Sequence, residues 1–170
     1  MATSKSLIAY FSRKGNNYVG GDIKYLPIGN TEVIAKKIQE LTGSDLFHIE
    51  TIEAYPEDYM DATNVAQEEK RKNARPELTK TVENMDSYDV IYLGYPNWWG
   101  TMPMAVFTFL ESYDFSGKTI LPFCTHEGSG IGNSERDIKK LCPNSKVQPG
   151  LAIRGGSVNG AAGMVRGWVL

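Results

Sequence analysis

Five short apolar runs alternate with helix-like stretches along this chain, and that alternation limits the possible folds more than any other feature. The runs cover 6–11, 45–49, 89–95, 119–124 and 151–154. The third is mostly apolar and β-branched or aromatic, as a parallel strand covered on both faces should be. Strands alternating with helices argue for one doubly wound α/β domain spanning 1–170, a five-stranded parallel sheet with helices on both faces, expected in the 2-1-3-4-5 order that such sheets commonly adopt.

The intervening segments read as helices of unequal strength. Apolar residues at Val33, Ile34, Ile38 and Leu41 follow helical spacing, Asn30 or Thr31 is placed to cap that helix, and Gly43 to end it. Segment 56–72 reads as a polar surface helix whose charged run 68–72 faces solvent. Further helices are expected at 103–113 and 134–141, with a weak one over 161–170 that contains Gly163 and Gly167. Pro96 is expected to stop the third strand and Pro103 to open the next helix. Segment 18–28, with Gly20-Gly21, has no helical periodicity.

In an open parallel sheet, loops after the strands gather at one edge, and ligands bind there at the switch point. The loops after strands one, three and four are chemically unusual. The first holds Ser12, Lys14, Gly15, Asn16 and Asn17, with Gly29, Asn30 and Thr31 further on. Hydroxyls, amides and glycines ahead of a helix start suit an anionic group. Such residues often serve only as caps, and no P-loop or dinucleotide glycine pattern is present. The loop after strand three holds Pro96, Asn97, Trp98, Trp99 and Gly100. Two indoles there suit a flat aromatic guest, although capping a hydrophobic core is an equal alternative. The loop after strand four holds Thr125, His126, Glu127, Gly128, Ser129 and Gly130. Its backbone suits the polar edge of a ring, Glu127 contributing backbone rather than carboxylate. His126 is either a hydrogen-bond or proton donor, or a solvated loop side chain.

Composition narrows the classes. A net charge of −2 with no basic stripe argues against nucleic-acid partners. No apolar run is long enough to span a bilayer, and residues 1–6 carry no cleavage-site pattern, so a cytoplasmic protein is expected. Cys124 and Cys142 are expected at opposite ends of the domain, as free thiols used in packing.

Together, Tyr10-Phe11-Ser12 followed by Gly15-Asn16, Gly29-Asn30-Thr31-Glu32, 94–100 with Pro103, and 125–130 resemble the flavodoxin-like FMN-binding proteins, in particular their stand-alone bacterial branch. The resemblance covers essentially the whole chain. It implies a flavodoxin fold binding one FMN, phosphate at Ser12, Asn16, Asn30 and Thr31, and isoalloxazine between 96–100 and 125–130. Two departures stand out. Residues 17–28 interrupt the phosphate loop, so that Gly15-Asn16 and Gly29-Asn30 compete for one motif position. The third loop lacks the aromatic that in many flavodoxins covers the outer ring face, which would leave that face open. The activity implied is reduction of quinone-like or other small electrophiles with NAD(P)H. The alternatives are an electron carrier between redox proteins, for which the mild acidity is weak support, and a non-catalytic flavin-binding or sensing module. A monomer or homodimer is expected.

Overall fold

The computed structural model describes residues 5–170, so the reading of the extreme N-terminus falls mostly outside the described residues. In chain order the elements are β1 (Ser6–Tyr10), β2 (Gly15–Val19), β3 (Asp22–Leu26), α1 (Asn30–Thr42), β4 (Asp45–His48), α2 (Tyr59–Arg71), β5 (Val90–Pro96), α3 (Met104–Glu111), β6 (Thr119–His126), α4 (Ser134–Leu141), β7 (Lys146–Val147), β8 (Leu151–Arg154) and α5 (Ala162–Trp168). Short 3₁₀ turns cover Met85–Ser87 and Gly155–Gly160.

The main sheet runs β4-β1-β5-β6, and both β7 and β8 pair with β6. Every pairing in it is parallel. This is the expected 2-1-3-4-5 order with one short extra strand, β7, before the last. Period-two alternation sorts each strand between two cores. Leu7, Ala9 and Phe11 join one core with Ala105, Val106 and Phe109 of α3 and Ile138 of α4. Ile8 and Tyr10 face the other, with Ile34, Ala35 and Ile38 of α1 and Val165 of α5. Gly94 in β5 is required by packing, because a Cβ there would lie 2.1 Å from Cζ of Phe123 on β6.

Several local expectations are corrected. Helix α1 is not capped by the side chain of Asn30 or Thr31. Its N-cap is Gly29, and Ser12 Oγ reaches across to accept from the Glu32 N–H at 3.1 Å. Loop one therefore does the capping from outside. The C-terminal expectation holds: Gly43 sits in the left-handed region at φ 69°. Helix α2 starts at Tyr59 rather than 56, where the Asp58 carboxylate accepts from the Asp61 N–H at 3.0 Å. In its charged run Glu69 is not free in solvent but accepts from the Tyr55 hydroxyl at 2.6 Å. Pro96 is the last residue of β5, and Pro103 is the residue before α3. Thr125 and His126 belong to β6, not to the loop after it. Cys124 and Cys142 are free and buried, and both pack in the α3/α4 core.

The segment without helical period is an antiparallel hairpin, β2–β3, standing as its own two-stranded sheet. Gly20 and Gly21 turn it with φ of 63° and 95°, the double positive φ that a tight two-residue hairpin turn demands.

Candidate functional site

Strand β1 ends beside the start of α1, β5 ends at Pro96, and β6 ends at His126, so three chain segments meet at one sheet edge. Between them lies a cleft of ≈190 Å³, lined by Asn30 and Thr31 from α1, Pro96, Asn97 and Trp98, and Thr125, His126, Glu127 and Ser129. The hairpin side adds Arg13, Asn17 and Tyr18, and α2 adds Tyr59. A second cleft of ≈380 Å³ shares Arg13, Asn17, Tyr59, Asn97 and Trp98 with the first and runs on past Met60, Ala66 and Trp99.

At the α1 end the chemistry is that of an anion cradle. Among the described residues, the N–H groups of Asn30 and Thr31, first in the helix, donate to no protein acceptor, while those of Glu32 and Val33 are used by Ser12 and Gly29. Thr31 is 1% exposed, and its Oγ1 lies 2.8 Å from Oγ1 of Thr125. Gly155 lies against the same end, where a Cβ would come within 2.5 Å of Asn30 Nδ2 and 2.7 Å of Glu127 Oε2. Gly29 is equally confined: a Cβ would meet Ser12 Oγ at 2.1 Å and the Arg13 carbonyl at 2.7 Å.

At the aromatic end the two indoles part. Trp98 is half-buried and packs edge-on against Phe11 and Tyr55, both at 5.1 Å between ring centroids. It faces both clefts and also caps the core, so both readings of the pair are met by one residue. Trp99 has φ 55° and is 46% exposed; its Nε1–H donates to the Thr63 carbonyl at 3.0 Å. It lines only the second cleft. The Asn97 side chain builds the turn, donating to the Gly130 carbonyl and accepting from the Gly100 N–H. Gly100 and Gly130 thus shape the turn without lining either cleft.

Beyond β6, His126 Nδ1 accepts from the Gly128 N–H at 2.9 Å, which leaves Nε2 as the protonated nitrogen of a neutral ring. Burial, then the Arg154 charge, lowers its pKa, with Glu127 opposing. His126 is therefore neutral near pH 7 and able to donate one hydrogen bond.

The remaining expected residues sit elsewhere. Lys14 and Asn16 line a separate cleft of ≈630 Å³ on the far side of loop one, with Ser12, Tyr25, His48 and Tyr55. Asn16 belongs to β2, where its carbonyl accepts from Arg13, and it is Gly29-Asn30 that stands at the start of α1. Residues passed over in the sequence are Arg13, Tyr18 and Tyr59. The guanidinium of Arg13 also donates to the carbonyls of Pro56 and Glu57, each at 2.9 Å. Burial lowers its pKa, while Tyr59 and Asp58 oppose that. The alternation of Tyr18, Ile23 and Tyr25 about a Gly-Gly turn was the available signal for the hairpin.

A parallel doubly wound sheet with an anion cradle and an aromatic cleft at its switch point defines an α/β protein built for a flat, phosphate-bearing ligand. The flavodoxin family matches residues 22–169, and the chain belongs to that family. FMN is the cofactor that this membership assigns. Two solved structures of proteins designated flavoproteins are similar along nearly their full length, each 29% identical. The one from Bacteroides eggerthii covers 96% of this chain and 98% of its own, with a TM-score of 0.74. The one from Bacteroides uniformis covers 98% of each, with a TM-score of 0.76. A Lactobacillus acidophilus flavoprotein solved with FMN shares the fold at 21% identity, covering 93% of this chain and 98% of its own, with a TM-score of 0.64. Among curated proteins no sequence matches.

The residues present fit the cofactor. Two amides at a helix start that find no acceptor among the described residues, beside two buried hydroxyls, suit its phosphate. The adjoining aromatic-walled clefts suit its ring.

Proposed function

We propose that this chain is an FMN-dependent reductase of quinone-like or other small electrophiles, drawing electrons from a nicotinamide nucleotide. Bound FMN would supply the electron transfer, and the protein the binding, orientation and electrostatics. The observation that carries this reading is the ≈380 Å³ cleft that shares Arg13, Asn17, Tyr59, Asn97 and Trp98 with the cleft at the cradle and is walled also by Met60, Ala66 and Trp99. An apolar slot of this size takes a flat small molecule.

Each role follows from position. Asn30 and Thr31 would hold the phosphate through backbone amides and the Thr31 hydroxyl, and Thr125 holds that hydroxyl in place. Trp98 gives a flat wall made rigid by Phe11 and Tyr55. His126 Nε2–H would donate to an acceptor atom at the ring edge. Arg13 ties loop one to 56–57 and so keeps the cleft in shape.

The charges near the clefts are of both signs, Arg13 and Arg154 beside Glu127. A carrier steered onto a large partner works best with one strong sign. The test is to mix the FMN-loaded protein with NADH or NADPH, follow the flavin absorbance, and then add benzoquinone. Bleaching by one nucleotide and recovery with the quinone is expected; no bleaching with either removes the reductase reading.

A further inference from the structure

The hairpin β2–β3 is inserted where the phosphate loop would otherwise run directly into α1; its β3 strand is exposed, while β2 and the turn are tied back to the rest of the domain. An isolated two-stranded hairpin is marginally stable, so something must hold this one. At its root, Asn17 Nδ2 donates to the Arg13 carbonyl at 2.8 Å, while the Arg13 guanidinium joins the hairpin to 56–57. Midway, Val19 is buried and Tyr18 packs on Tyr59 with ring centroids 6.1 Å apart. At the tip, the Gly20 N–H donates to Glu127 Oε1 at 2.7 Å. The hairpin thus leaves loop one and is fastened to the segment after β6, with the cleft between them lined by Tyr18, Tyr59 and Glu127.

Resting on the FMN reading, we propose that this inserted hairpin is a wall of the flavin cleft, with Tyr18 and Tyr59 as the aromatic surface that 125–130 lacks and Glu127 as its latch. The physical case is one of substitution. The segment after β6 offers no aromatic ring, and the insertion brings one in from a distant part of the chain. Tyr18 is 41% exposed with its ring set against Tyr59, and stacking against a flat ligand would bury more of it. The contact that Tyr18 makes with Tyr59 is ring to ring, so the ring is assigned the role. The latch is a single carboxylate–amide contact at an exposed position, weak enough to open for ligand exchange and strong enough to bias the closed form. Glu127 therefore acts through its carboxylate, where the sequence suggested backbone alone.

The experiment compares the native chain with Tyr18→Ala, Tyr18→Phe and Glu127→Ala in two measurements. FMN release from the loaded protein is timed by the recovery of flavin fluorescence, and backbone hydrogen exchange over 16–26 is followed without flavin. Tyr18→Ala and Glu127→Ala are expected to release FMN roughly tenfold faster, and Tyr18→Phe at the native rate. Glu127→Ala is also expected to lose protection at Gly20 in the flavin-free chain. Native release rates in both alanine variants, or equal acceleration in Tyr18→Phe, would overturn the wall. Unchanged Gly20 protection would overturn the latch. A native chain that takes up no FMN would sink the cofactor reading instead, and the exchange at Gly20 would still decide the latch.

Discussion

Thr31 carries the most chemistry per atom in this chain. It is buried, its hydroxyl is held by Thr125, and its N–H stands second in the helix with no acceptor among the described residues. Thr31→Val keeps the shape and removes the hydroxyl. FMN binding measured by calorimetry should weaken by about 1.5–3 kcal/mol, the range for a hydrogen bond to a charged group. His126 belongs to the same scale. Its lowered pKa means that the unfolded chain binds the proton more readily, so stability is lost as pH falls from about 6.5 through the lower folded value. In a proton NMR titration its ring should reach its midpoint below 6.5, with the Gly128 amide shifting in step as Nδ1 ceases to accept. A midpoint at or above the ordinary value would contradict the neutral, Nε2-protonated ring.

Among the elements, the strands test the packing and the helices test the caps. Gly94 lies in the middle of β5 with Phe123 pressed against it, and Phe123 in turn meets Trp168 of α5. Gly94→Ala forces that ring to move in a close-packed core and should destabilise the protein by about 1–3 kcal/mol in urea unfolding. Asp58 is an N-cap residue whose own carboxylate accepts from the first turn of its helix, and Asp58→Ala should cost about 1 kcal/mol. Because α2 also walls the second cleft through Met60 and Ala66, that loss should loosen the cleft as well as the helix. These elements differed in how readable they were. The strands of the main sheet were legible because residues buried on both faces leave a nearly continuous apolar run. The hairpin was not: it has one buried residue, Val19, and its alternation is carried by exposed Tyr18, Ile23 and Tyr25. Helix α1 was legible in extent but not in its cap, because Ser12 comes from a loop on the other side of the insertion.

For the molecule as a whole, burial of groups that prefer to stay neutral sets the alkaline limit. Desolvation raises the Cys124 thiol to about 12 and the Cys142 thiol to about 11, and raises the Tyr10 hydroxyl to about 12 with help from Glu32 and Glu50. The folded chain keeps these protons where the unfolded chain gives them up. Stability is therefore full below about 9 for the thiols and is lost as pH rises toward their folded values. Urea midpoints should fall across that window, and Cys124→Ser with Cys142→Ser should flatten the fall. Neither thiol should react with a disulfide reagent at pH 8 until the chain is unfolded. No helix among the described residues is long and apolar enough to cross a membrane, and none of their acidic, histidine and cysteine side chains cluster as a metal site.

What the sequence alone determined is the five main strands, the helices between them, and the three segments after strands that carry unusual residues, because periodicity and strand–helix alternation are short-range properties written into neighbouring residues. Only the tertiary structure decided that Gly29-Asn30 and not Gly15-Asn16 opens α1, that Trp99 turns away from Thr31, and that Gly20 reaches Glu127 across 107 positions. Those outcomes depend on packing the whole chain at once: a contact between distant residues exists only when every element between them has been placed, and no local pattern encodes that sum.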